Sequence, residues 1–209
     1  KRYEVPYREV VRRNSRLFLR TNSAVEAAGR LARVFGVSSV SPSLETSSKL
    51  EDIVDRSVFL AGRALKERDC FAVRCRRVGG QSYSSADVCR VVGQRILDEF
   101  GEKLSLKVDL DRPDVKFGVE VRNDEAFAYL DVVDGVGGMP LGTQPRVMGL
   151  LSGGTDSAVA CWLVMKRGCP VVPFYFDNMP FTDEATTERA LNVAEVLFDW
   201  AVGFPRRVY

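Results

Sequence analysis

The run Ser152-Gly153-Gly154-Thr155-Asp156-Ser157 gathers hydroxyls, two glycines and a carboxylate into six consecutive positions. A strand-like stretch, residues 147–151, precedes it, and a helix-like stretch, residues 158–165, follows. Glycine lets the backbone turn tightly and approach a ligand closely. Hydroxyls and unpaired N–H groups at a helix N-terminus then favour an anion, above all a phosphate. The plainer alternative is a Gly/Ser turn that only joins a strand to a helix. A Walker A loop would end in Gly-Lys-Ser/Thr, and no lysine stands here. Asp156 has three readings: a helix cap, a ligand for Mg²⁺ on bound phosphates, or a group that orients an attacking oxygen.

The elements around this loop read as the start of a doubly wound parallel sheet. Leu150 and Leu151 end the first strand, and the near-continuous apolar run Val171 to Phe176 reads as a second, buried on both faces. Ligands of such sheets sit beyond the carboxyl ends of the strands, so the loops after Leu151 and after Phe176 are expected to converge. Thr182 is the expected cap of the next helix, with Asp183 and Glu184 in its first turn.

Upstream, residues 1–46 and 47–143 read as two further parts, leaving 144–209 for the loop and its sheet. In the first, Arg16 to Arg20 is a short strand. Ser23-x-x-Glu26 spells a capping box before a helix carrying Ala24, Ala27, Ala28, Leu31 and Phe35, and Val37 to Val40 is another strand. This β-α-β order suggests half of a small α+β sandwich. In the second part, Ser48-x-x-Glu51 precedes a helix whose stripe is Leu50, Ile53, Val54, Ser57, Val58, Ala61, Ala64 and Leu65. Phe71, Val73 and Cys75 alternate with polar neighbours as a half-buried strand. Ser84 starts a helix reaching Phe100, and a strand meander is expected over 104–110, 115–121 and 127–133, closing on the glycine-rich turn 135–142.

Composition narrows the chemistry. The 209 residues include no histidine, which excludes histidine catalysis and histidine metal ligation within the chain. Cys70, Cys75, Cys89, Cys161 and Cys169 are odd in number, lie in apolar runs and form no CxxC pair, so free buried thiols are expected rather than disulfides or zinc. No apolar run approaches the roughly 18 residues that span a bilayer, and no signal-peptide pattern is visible. No membrane association and a cytoplasmic location are therefore expected. The net charge of +2 is too small to imply nucleic-acid binding by itself. Its distribution is more informative. Arg74 and Arg76 share a strand face beside Arg77, Gln81 and Tyr83 follow in a loop, and Lys107, Lys116 and Arg122 take polar positions in the meander. Such a surface suits phosphate and 2′-OH contacts to folded RNA, although a solvated face reads the same way.

Three groups of residues together resemble a known family. The loop matches the SGGxDS signature of PP-loop ATP pyrophosphatases. Phe71-Ala72-Val73-Arg74-Cys75-Arg76-Arg77, Arg112-Pro113-Asp114-Val115 and Gly137-Gly138-Met139-Pro140-Leu141-Gly142 resemble a THUMP domain. Met165-Lys166-Arg167-Gly168-Cys169 and Phe176-Asp177-Asn178-Met179-Pro180-Phe181-Thr182 continue the likeness. A THUMP domain followed by this loop is the order of the tRNA 4-thiouridine synthetases, or tRNA sulfurtransferases.

The resemblance implies an α/β chain in three parts: a ferredoxin-like N-terminal part (1–46), a THUMP domain (47–143) and a PP-loop domain (144–209). It implies ATP and Mg²⁺ as cofactors, tRNA as partner and a persulfide-carrying protein as sulfur donor, with sulfur delivery to the thiamine thiazole in some members. A second copy of the chain is a further candidate partner. The uracil C4 oxygen at tRNA position 8 would be adenylated, and sulfur would then displace AMP. By the same resemblance ATP is held by Leu150, Leu151, Ser152, Gly153, Gly154, Thr155, Asp156, Ser157, Tyr175 and Phe176. Asp156 is catalytic and the candidate Mg²⁺ ligand, and Arg74, Arg76, Arg77, Lys107 and Lys116 touch RNA. Tyr175 stands where members often carry histidine, and Thr155 where Ile or Phe is usual. The family's persulfide cysteine lies downstream of the loop, at neither Cys161 nor Cys169, so the chain is expected to be C-terminally incomplete. Two other readings stay open: a PP-loop synthetase acting on a small molecule, and an RNA-binding module with no activity of its own.

Overall fold

The chain opens with a hairpin of β1 (Glu9–Arg13) and β2 (Arg16–Arg20), followed by α1 (Ala24–Leu31), β3 (Ser39–Val40) and β4 (Ser43–Ser47). Next come α2 (Leu50–Ala64), β5 (Cys70–Val78) and α3 (Ser85–Ile96), which continues through one wide turn at Leu97–Gly101 into α4 (Glu102–Leu104). Strands β6 (Lys107–Val108), β7 (Val115–Arg122), β8 (Glu125–Tyr129) and β9 (Val133–Asp134) follow. The last segment is β10 (Val147–Leu151), α5 (Thr155–Lys166), β11 (Val171–Tyr175) and α6 (Glu184–Trp200). This computed structural model, a mixed α/β protein, describes residues 5–13, 16–181 and 183–209. It forms two compact units, one from Ser41–Val132 and one from Lys1–Val40 with Val133–Tyr209.

The Ser41–Val132 unit is built on a five-stranded sheet in the order β4-β8-β7-β5-β6. β5 runs parallel to both β6 and β7, while β8 is antiparallel to β7 and β4. Strand alternation sends Phe71 and Val73 to one face with Phe117, Val119, Val121 and Ala126, and α2 and α3 cover that face through Ile53, Ala61, Val88, Val92 and Ile96. Phe71 and Phe117 meet edge-to-face with centroids 5.9 Å apart. Ser57, the one buried polar residue among those described, donates its hydroxyl to the Ile53 carbonyl at 2.8 Å and so leaves no polar atom stranded in the core.

Several local readings change here. The expected meander is not one: β6 pairs with β5 rather than β7, and Leu104 belongs to α4. The stretch 127–133 divides, because β8 ends at Tyr129 and β9 pairs elsewhere, antiparallel with β3. Ser84, expected only to start a helix, forms a capping box with Asp87 as its reciprocal partner in place of the usual Glu. The box expected at Ser23 does not form, because Glu26 pairs instead with Arg30 at 2.6 Å. At α2 the cap position is Lys49, one residue after Ser48, and its N–H donates to the Ser47 hydroxyl at 3.1 Å.

In the other unit, β1 and β2 pair antiparallel, from Glu9 opposite Arg20 to Arg13 opposite Arg16. Strands β10 and β11 pair in parallel, Leu150 opposite Phe174 and Leu151 opposite Tyr175. The Tyr209 backbone extends this sheet: its N–H donates to the Pro173 carbonyl at 3.1 Å and its carbonyl accepts from Tyr175 at 2.8 Å. Phe35, Leu151, Cys161, Met165, Ala194, Leu197 and Phe198 form the core. Phe35, Trp162 of α5 and Trp200 of α6 form a triangle of rings, with Phe35 at 5.6 and 5.5 Å from the two tryptophans and these 5.4 Å apart between centroids. The glycine-rich turn is required by close approach. A Cβ on Gly138 (φ +81°) would stand 2.3 Å from the Lys166 carbonyl, which accepts the Met139 N–H at 3.0 Å.

Candidate phosphate-binding loop and basic sheet face

The loop Ser152–Gly154 leaves the carboxyl end of β10 and opens α5. The Ser157 hydroxyl closes it, donating to the Gly154 carbonyl at 3.0 Å and accepting the Ser152 N–H at 3.3 Å. The Ser152 and Ser157 oxygens lie 3.2 Å apart, and the Gly154 N–H reaches the Ser152 hydroxyl at 3.4 Å. Gly154 takes the N-cap position, and no side chain caps the helix. The first N–H groups of α5 therefore face outward with the positive end of the helix dipole. Asp156 is exposed, with no hydrogen bond or ion pair among the described residues, and does not serve as the cap. Thr155 is likewise exposed.

Gly153 has φ +75°, and the loop rests directly on α6 there. A Cβ at this position would lie 3.2 Å from the Ala190 nitrogen, 3.3 Å from the Arg189 Cβ and 3.4 Å from the Thr186 carbonyl oxygen. Thr182 lies outside the described residues, and the cap of α6 is Asp183, whose carboxylate accepts the Thr186 N–H at 2.9 Å and the Thr186 hydroxyl at 2.6 Å. Those hydrogen bonds from Thr186, helped by Arg189, hold the Asp183 carboxyl below the usual carboxylate range. Thr186 and Arg189 are not legible as site residues in the sequence, since their place depends on how α6 docks.

Of the apolar residues expected around a nucleotide, Leu151 is buried in the core while Leu150 and Phe176 are exposed. Phe176 meets the Phe174 ring at 4.9 Å. The Tyr175 hydroxyl lies 3.2 Å from the Thr187 hydroxyl on α6, so this side chain ties the strand end to the helix. The described residues contain no group of three or more His, Cys, Asp or Glu side chains able to hold a metal on their own.

On the β5–β7 sheet, register places Arg74, Arg76, Lys107 and Lys116 on the face opposite α2 and α3: Arg74 pairs with Gly118, Arg76 with Glu120, Lys116 with Ala72 and Lys107 with Cys70. All four are exposed. The Arg74 guanidinium donates to the Leu110 carbonyl. Arg77 points to the other face, where it donates to the Gly79 carbonyl at 3.0 Å and to the Gln81 side chain at 3.1 Å. Gln81 in turn donates to Asn123, and Tyr83 to the Ser48 carbonyl, so both shape the loop after β5. Arg122 is paired with Glu120, and both side chains are largely buried. The cysteines are all free, and Cys161 is a core residue. Burial pushes the Cys75 thiol up to about 11, with neighbouring Cys89 adding to the shift and Arg77 opposing it. Such a thiol stays protonated at neutral pH and is a poor nucleophile.

A parallel strand pair, an anion-ready loop opening the intervening helix and a separate α/β unit with a basic sheet face define a class: THUMP-bearing proteins with a PP-loop. Comparison with known proteins agrees. Residues 47–131 match the THUMP domain family, and residues 142–208 match the family of the thiamine biosynthesis protein ThiI. A probable tRNA sulfurtransferase of Methanosarcina mazei is 40% identical over 206 residues, covering 98% of this chain and 51% of its own. That of Methanosarcina acetivorans is 41% identical, with 98% and 50% covered. The crystal structure of PH1313 from Pyrococcus horikoshii Ot3 superposes with a TM-score of 0.86 at 33% identity, covering 98% of this chain and 68% of that one. A 4-thiouridine synthetase crystallised with RNA and bound ATP gives 0.83 at 30% identity, with 94% and 51% covered. The chain belongs to this tRNA sulfurtransferase family, and it spans about half the length of the curated relatives it matches. No described helix is long and apolar enough to cross a membrane.

Proposed function

We propose that the protein containing this chain is a cytoplasmic, ATP-dependent tRNA sulfurtransferase that makes 4-thiouridine at tRNA position 8. Residues 1–46 and 47–143 serve as the N-terminal and THUMP parts of the tRNA platform, and 144–209 supplies the adenylating loop. The observation that carries this reading is the uncapped N-terminus of α5 beneath the Ser152–Gly154 loop, in a chain that also holds a THUMP domain. ATP would lie with its phosphates against the N–H groups of residues 153–157 and its adenosine near Leu150, Leu151, Tyr175 and Phe176. With the Tyr175 hydroxyl turned to Thr187, recognition at that position falls to its backbone and ring. Asp156 would hold Mg²⁺ on the phosphates. The uracil C4 oxygen attacks the α-phosphorus, and pyrophosphate leaves with the electron pair of the broken P–O bond. The outer sulfur of a protein persulfide later bonds to C4 as AMP departs with the C–O electron pair, and a second protein thiol then attacks the donor sulfur, forming a disulfide and leaving the transferred sulfur on C4.

The 4-thiouridine synthetase of known structure was solved with RNA and ATP together, which supports both substrates. The alternative of a small-molecule synthetase leaves the THUMP domain without a purpose. The full-length protein is therefore expected to exchange labelled pyrophosphate into ATP only when tRNA is present and to form 4-thiouridine with a persulfide donor. Exchange that ignores tRNA and responds to a small-molecule acceptor would reverse the assignment.

The basic face makes a second expectation. Arg74→Ala with Arg76→Ala should weaken tRNA binding by about tenfold and lower the slope of log K against log salt by about two, because two fewer phosphates are neutralised and fewer counterions are released. Arg77 is left intact because it holds its own loop together. An unchanged slope would place the RNA on another surface.

A further inference from the structure

Bound ATP would bring a triphosphate of several negative charges to a loop that lacks the P-loop lysine, and N–H dipoles offset only part of that charge. The lysines and arginines of residues 144–209 are Arg146, Lys166, Arg167, Arg189, Arg206 and Arg207. Arg146 precedes β10, and Lys166 and Arg167 close α5, so all three lie at the amino end of the parallel strands. Arg206 is engaged with Glu195 and Asp199 in the second half of α6, and Arg207 stands over the Tyr209 ring. Arg189 is the cation of this segment whose own residue lies directly against the loop, at Gly153.

Its placement is specific. Arg189 lies in the second turn of α6, and its Cβ is 3.3 Å from where a Cβ on Gly153 would stand. Helical side chains lean toward the N-terminus, and this one does: its guanidinium donates to the Thr186 hydroxyl at 2.7 Å and lies 4.0 Å from the Asp183 carboxylate. The group is thus held toward the first turn of α6, the part of the helix that the loop meets at Gly153, while remaining substantially exposed. Gly153 has a matching role, since the absence of a side chain lets the loop settle within reach of this arginine.

We propose that Arg189 is a phosphate-binding residue that grips the β and γ phosphates of ATP and the departing pyrophosphate, supplying the positive charge that a loop lysine provides in Walker-type sites. This deepens, and rests on, the reading of the Ser152 loop as a nucleotide site. Arginine suits the task because its planar fork can pair two phosphate oxygens at once.

The test uses the full-length protein and its Arg189→Ala, Arg189→Lys and Glu188→Ala variants, with dissociation constants measured for ATP, AMP and inorganic pyrophosphate. Charge-assisted hydrogen bonds of this kind imply that Arg189→Ala weakens ATP and pyrophosphate by about tenfold or more. AMP should change by less than about twofold, because it lacks the phosphates in question. Arg189→Lys should keep part of the affinity, and Glu188→Ala, an exposed neighbour, all of it. Equal losses for AMP and ATP, or unchanged ATP binding in Arg189→Ala, would overturn the assignment. Failure of the unaltered protein to bind ATP would overturn the nucleotide site itself, and measuring it first keeps the two failures apart.

Discussion

Asp156→Ala in the full-length protein is expected to abolish adenylation, with at least about a hundredfold loss, while tRNA affinity stays near that of the unaltered protein. The magnitude follows from what Asp156 does and does not do. It makes no cap hydrogen bond and no ion pair among the described residues, so removing it costs α5 only the favourable helix-dipole interaction of a first-turn acid. Its carboxylate is exposed on the first turn of that helix, beside the N–H groups that would take the phosphates. A negative group there would be poorly placed for a bare anion, since two like charges repel. It becomes favourable once a divalent cation lies between carboxylate and phosphate. Asp156→Asn separates the roles: it keeps the shape and loses the charge, and should be nearly as inactive as alanine. Adenylation at the unaltered rate in either variant would sink the role given to Asp156.

Legibility follows the strength of local signals. The β10–loop–α5–β11 unit is readable because an apolar run, two glycines and a second apolar run each carry a short-range signature. The α2 stripe and the Ser84 cap are legible for the same reason. Strands β1, β4 and β9 are not. β9 has two residues, and β4 is a polar edge strand whose pairing with β8 is set by the sheet rather than by its own sequence. Parallel pairing of β5 with both β6 and β7 depends on a crossover that no local pattern encodes, so the sequence of short strands points to a meander instead. The basic residues divide along the strand period: Arg74 and Arg76 share the open face, whereas Arg77, one residue on, faces the other way into its loop. The PP-loop residues announce themselves in their own motif, but Thr186 and Arg189 enter only through tertiary docking on Gly153.

That docking gives the other large effect. Gly153→Val in the full-length protein is expected to remove measurable ATP binding while leaving the THUMP unit folded. A valine at φ +75° is strained by about 1–3 kcal/mol through its backbone alone. Its Cβ would also press on atoms that cannot easily move, with the Ala190 backbone nitrogen at 3.2 Å and the Arg189 Cβ at 3.3 Å, both fixed to the helix. The γ carbons of a branched side chain reach further still. Either the loop lifts off α6 or the first turns of α6 tilt, and in both cases the α5 N–H groups and Arg189 no longer address one set of phosphates. Gly137→Val supplies the control, since Gly137 has φ +67° but open space where a Cβ would stand. Both variants should lose stability through backbone strain, seen as a lowered melting temperature. Only Gly153→Val should lose ATP. Equal retention of ATP by the two would mean that the contact between loop and α6 is packing alone, with no part in shaping the phosphate site.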